Sequence, residues 1–241
     1  MKKSAIILSL VVSLFAGVTQ AEESETTMLD GYNRAMFKFN DKVDGWVLKP
    51  LAKGYRAVTP NVVETGVSNF FSNLGELINI PNDLLQGKFK QAANDTGRLL
   101  VNSTIGIGGL FEVADKIGLE KSDGEDFGQT LATWGVPSGP YVVIPVLGPS
   151  TLRDFPGTVT DSVLFSPIGE IENVSVRNSL YGLKTVDTRA GLLESEELIT
   201  GDRYTFIKGV YLQRREYLIK DGEVEDDFGD DSGEYGSEEE F

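Results

Sequence analysis

Between Phe127 and Asp154 the chain reads FGQTLATWGVPSGPYVVIPVLGPSTLRD, setting four of its nine prolines and four glycines around the apolar run Val142 to Leu147. Pro137, Pro140, Pro145 and Pro149 each fix φ and remove a backbone donor. The expectation is a stiff extended loop, with neither a helix interior nor a central strand passing through. Loops usually run over the surface and are polar. One this rich in Val, Ile and Leu needs an apolar surrounding, supplied by its own core or by lipid.

The opening residues pair Lys2 and Lys3 with an apolar stretch from Ala5 to Val18 and small residues up to Ala21. That pattern predicts a secretory signal peptide over 1–21, cleaved after Ala21, since the apolar stretch falls short of the roughly 20 residues a spanning helix needs. A lipoprotein signal would place Cys where Val18 follows Phe15-Ala16-Gly17, and the sequence holds no Cys at all. Neither a disulfide nor acylation of a cysteine is therefore expected. Residues 22–220 carry 20 basic against 26 acidic side chains, whereas 221–241 carry eleven acidic and no basic ones. This last segment reads as a separate, disordered acidic tail. Such acidity argues against nucleic-acid binding.

Histidine is absent too. Ser-His-Asp and Cys-His nucleophilic arrangements cannot be built, and a zinc site would have carboxylates only. The chain is read as a non-enzyme without metal or cofactor.

Apolar periodicity is helical along most of the chain. Leu29, Tyr32, Met36, Phe39, Val43 and Trp46 form a stripe on a first helix, capped by Thr27, ended by Pro50 and expected to face a core. A second helix starts at Thr59-Pro60 and is interrupted at Ile78 to Pro81. A third spans 88–102 with Phe89, Ala92, Ala93, Thr96, Leu99 and Leu100 inward. Short and longer helices follow around 160–164, from Ile171 onward and over 203–220, the last with Arg203, Lys208, Arg214 and Arg215 on a solvated face. Gly106 to Phe111 has the look of a dinucleotide fingerprint, but Phe111 stands where the third glycine belongs, so a turn between helices is expected instead.

Several collinear strings carry a resemblance. They run from Leu29-Asp30-Gly31-Tyr32-Asn33-Arg34 through Gly66 to Leu74, Leu84-Leu85-Gln86-Gly87 and Asn102 to Phe111. The Pro/Gly-rich stretch, Asp187-Thr188-Arg189-Ala190 and Tyr211-Leu212-Gln213-Arg214-Arg215 complete the series. Over roughly Leu29 to Lys220 the chain resembles the MlaA/VacJ family, outer-membrane proteins that extract misplaced phospholipid in Gram-negative bacteria.

The resemblance implies a mainly α fold: a single ring-like helical domain over 22–220, lying in one leaflet of the outer membrane on the periplasmic side, with an apolar Gly/Pro-rich loop. It further implies a trimeric outer-membrane porin and a soluble periplasmic lipid carrier as partners, and passage of phospholipid through an amphipathic channel. Ile105, Gly106, Ile107, Gly108, Gly109, Leu110 and Phe111 are expected to meet lipid. Trp134, Tyr141, Val142, Ile144, Val146 and Leu147 are expected to help form the ring and channel. A soluble periplasmic phospholipid carrier is the competing reading.

Overall fold

The computed structural model describes residues 25–223. The expected signal peptide and nearly all of the acidic tail lie outside them. Helix α1, Glu25–Val43, passes through a π-helical turn at Asp44–Leu48 into α2, Lys49–Val58. The first helix therefore begins before Thr27 and does not stop at Pro50, which sits in the first turn of α2, where its missing N–H is tolerated. The apolar stripe is split: Met36 packs on the core and Leu29 and Val43 are half-buried. Tyr32, Phe39 and Trp46 are exposed, Trp46 at 79%, while the buried residue of α1 is Asn33.

Helix α3 runs unbroken from Asn61 to Gln86 with Pro81 inside it, contrary to the expected interruption. Pro81 removes one backbone bond, to the Leu77 carbonyl, and the helix continues past it on the bonds of the turns to either side. Gly87, at φ 79°, closes the helix in the left-handed conformation glycine adopts without strain. Helix α4, Phe89–Thr104, packs back along α3. Its buried residues are Ala92, Asp95, Arg98 and Asn102, whereas Phe89 and Leu100, expected inward, are exposed.

The Pro/Gly-rich stretch is not a plain loop. It holds α5, Phe127–Thr133, and an antiparallel hairpin of β1, Tyr141–Ile144, and β2, Gly148–Thr151. The prolines fit because a two-stranded sheet has only edge strands. Pro149 lies opposite Val143, whose N–H points away from it to Asn33, so no cross-strand bond from Pro149 is missed. Helix α6, Asp154–Leu164, starts earlier than expected and carries Pro156 and Gly157 within its first turns. A Cβ on Gly157 would lie 2.5 Å from the Gly128 backbone nitrogen, so only glycine lets α5 and α6 approach this closely.

Helix α7, Val174–Gly191, is capped by the Asn173 side chain, and α8, Arg203–Ile219, by Asp202. The basic residues of α8 are not all solvated: Arg215 is mostly buried, bonding Asp126 and Asp154. Among the described residues no helix is long and apolar enough to cross a membrane.

Packing is partly inverted relative to a water-soluble domain. Glu76, Asp83, Asp95, Arg98 and Asp161 are buried, while Trp46, Val58, Val62, Phe89 and Leu100 face outward. In water an exposed apolar surface of this extent is unusual. In lipid the arrangement is the expected one, because polar groups must be satisfied internally.

Candidate functional site

Two asparagines two helical turns apart on α1 clamp the hairpin. Asn33 Nδ2 donates to the Tyr141 carbonyl at 2.9 Å and its Oδ1 accepts from the Val143 N–H at 2.8 Å. Asn40 repeats the pattern with the Ile144 carbonyl at 2.9 Å and the Val146 N–H at 2.7 Å. The side chains thus act as a partner strand for β1, satisfying edge groups that would otherwise be open. Beneath the hairpin, Tyr141 and Val143 are buried with Tyr204, flanked by Phe37 and Tyr211.

A cavity of about 490 Å³ opens between α1, the hairpin, α8 and the 192–199 segment. Its floor is apolar, with Phe37, Val143, Ile199, Phe206, Ile207 and Val210. Its charged residues are Asp41, Asp44, Arg189, Glu196 and Arg203. Glu196 is the hub: it receives Lys49 at 3.0 Å, Arg189 at 2.7 Å and Arg203 at 3.1 Å. Partial burial works to raise its pKa, but hydrogen bonds from Arg189 and Lys49 prevail and hold it down at about 2. Arg189 also grips Asp44 through two bonds at 2.7 and 2.9 Å. An apolar floor beside fixed charges suits an amphipathic molecule, with its apolar part inside and its polar end at the charges.

The glycine turn lies elsewhere, at the C-terminal end of α4, and none of residues 105–111 lines this cavity. It is tightly bonded: the N–H groups of Gly108, Gly109 and Phe111 donate to Ser103, Asn102 and Gly106. Asn102 Oδ1 then accepts from Val113 and Ala114. A Cβ on Gly106 would come 2.2 Å from the Phe111 carbonyl oxygen. Gly108 and Gly109 have φ of 69° and 91°, and the branched Ile107 is held at φ 55°, a strained position. This scaffold leaves Ile105, Ile107, Leu110 and Phe111 exposed together.

Of the hairpin residues singled out in the sequence, Val146 and Leu147 stand exposed at the tip, Val142 and Ile144 are half-buried and Tyr141 is in the core. Burial pushes the Tyr141 hydroxyl up to about 12. Trp134 is exposed, with its Nε1 donating to the Leu85 carbonyl at 3.2 Å. Sequence reasoning missed Asn33, Asn40 and the Glu196 hub. The first two carried a signal, an asparagine pair seven residues apart on one helix face. Glu196 carried little, since Arg189 and Arg203 lie seven residues to either side of it outside any one helix and Lys49 comes from a distant part of the chain.

The family model described as MlaA lipoprotein matches residues 27–218. The intermembrane phospholipid transport system lipoprotein MlaA of Escherichia coli K12 is 32% identical, over 93% of this chain and 92% of its own length. That of Haemophilus influenzae is 30% identical, over 92% and 93%. A chain from a solved structure, "Structural basis for maintenance of bacterial outer membrane lipid asymmetry", superimposes with a TM-score of 0.70 at 33% identity. The match covers 79% of this chain and 98% of the other. The chain belongs to the MlaA family.

Proposed function

We propose that this protein is the outer-membrane component of a phospholipid transport system, removing mislocalised phospholipid from the outer leaflet and passing it to a soluble periplasmic carrier. The observation that carries this reading is the partly inverted packing, with large apolar side chains such as Trp46, Val58, Val62 and Phe89 outside and a charged interior between α3 and α4, without a spanning helix among the described residues. Such a body sits in one leaflet with its exterior against acyl chains. Phospholipid as cargo and the outer membrane as site follow from the relatives, named for intermembrane phospholipid transport and for outer-membrane lipid asymmetry. A trimeric porin is the partner in the membrane plane.

Transport on this reading is passive. The apolar cavity floor shelters acyl chains while the Arg189, Glu196 and Arg203 cluster meets the polar end. Ile105, Ile107, Leu110 and Phe111 provide a second lipid contact on a rigid turn. In domain terms, 1–21 is a signal peptide, 22–220 the lipid-handling body and 221–241 an acidic tail.

Expression in a Gram-negative host lacking its own copy tests this. The protein is expected in the outer-membrane fraction after a high-salt wash, with surface phospholipid restored to the level of the intact host. Recovery wholly in the soluble periplasm would favour the carrier, and membrane retention without clearance of surface phospholipid would reject transport.

A further inference from the structure

Near the joined ends of α3 and α4 two carboxylates are fully enclosed: Asp83 and Asp95, both at 0% exposure. Asp95 is well supplied with donors, accepting from Gln91 Nε2 at 2.8 Å, Asn94 Nδ2 at 3.1 Å and Ser122 Oγ at 3.0 Å. Asp83 has no donor for either oxygen among the described residues. The negative charge of Asp95 bears on it. A carboxylate enclosed without a donor is costly to ionise, and the charge of a second buried carboxylate adds to that cost.

We propose that Asp83 keeps its proton at neutral pH, so that the α3–α4 joint is a proton-binding site whose emptying at alkaline pH loosens the helix pair carrying the 105–111 turn. The surrounding charges favour retention. Glu125, from the segment before α5, adds negative charge, and Lys88, the opposing cation, is engaged by Glu125 and Asp221. On the Asp95 side, Glu76 of α3 is paired with Arg98, which also bonds Glu112. Asp161 of α6 is turned to Asn82 and the Phe127 N–H.

Burial, then the Asp95 charge, pushes the Asp83 carboxyl up to about 8 from its ordinary 3.8. The folded state thus binds the proton more tightly than the unfolded one. The contribution to stability is complete below about pH 4 and is lost as pH rises to about 8.

Asp83→Asn replaces the protonated carboxyl by an amide that stays uncharged at every pH. In the full chain in detergent, the parent is expected to lose about 5 °C or more of melting temperature between about pH 5 and 8, and the variant to lose clearly less. An infrared difference spectrum, parent minus variant at neutral pH, is expected to hold a protonated-carboxyl band that shifts with carbon-13-labelled aspartate. If Asp83→Asn does not fold, the labelled parent alone decides, by whether that aspartate band is present and titrates away near pH 8. Its absence at neutral pH, or equal pH slopes for parent and variant, would overturn the proposal.

Discussion

Around the hairpin, Tyr141, Val143 and Tyr204 make a small apolar core closed by two asparagine clamps, whereas the α3–α4 pair encloses Glu76, Asp83, Asp95 and Arg98 and leaves Phe89 and Leu100 outside. The first region is organised as a water-soluble domain is. The second buries charge and offers its apolar residues to the surroundings. One chain can do both when part of its surface meets lipid, because the hydrophobic effect then no longer selects which helix face turns inward. Internal hydrogen bonding decides instead.

The largest effect that could break this comparison is at Arg98, whose side chain is 1% exposed and bonds Glu76 and Glu112. Arg98→Leu leaves Glu76 buried without its cation and is expected to cost about 3–5 kcal/mol in denaturation experiments in detergent. The double variant with Glu76→Leu should recover much of that, as replacing a whole buried pair often does. If Arg98→Leu alone is neutral, the charged interior is not what holds α3 to α4.

Asn33→Ala comes next. It strips the Tyr141 carbonyl and the Val143 N–H of their partner in a buried place, with an expected loss of about 2–3 kcal/mol in the same measurement. A loss below about 0.5 kcal/mol would mean that the hairpin is held by its apolar contacts alone.

Two glycines in the turn sharpen the contrast between conformational strain and contact. Gly108→Ala meets open space but needs φ near 69°, and should cost about 1 kcal/mol. Gly109→Ala adds a Cβ 2.6 Å from the Asn73 Cβ and should cost more, about 2 kcal/mol. The reverse order in melting experiments would show that Asn73 moves aside freely.

Least affected in stability should be Phe111→Ser, because the ring is more than half exposed. A change within about 0.5 kcal/mol is expected, together with slower clearance of surface phospholipid in cells. Unchanged clearance would remove the turn from the lipid path.

Much of the helical order was legible in the sequence, because period-3.6 spacing survives whichever face is buried. The direction of the faces was not. Leu29 to Trp46 reads as a core stripe on the premise that apolar residues turn away from the solvent, and that premise assumes water. Pro50, Pro81 and Pro149 misled for a related reason. Pro50 sits in the first turn of α2, Pro81 costs its long helix a single bond, and Pro149 faces a position whose N–H is taken by Asn33, a tertiary contact. The glycine turn was legible as a turn, while the cavity beside Glu196 needed the chain brought together from 37 to 210.

Lipid lying against the apolar exterior is the central claim, and Trp46 reports on it most directly. This residue is 79% exposed on the α1–α2 connection, and Trp134→Phe leaves it as the chain's single tryptophan. The variant is reconstituted into bilayers whose acyl chains carry bromine, and its fluorescence is compared with that in unbrominated lipid. Strong quenching by the brominated chains, with little quenching by aqueous iodide, is the predicted result. Equal emission in both lipids with full access to iodide would place Trp46 in water and contradict the claim.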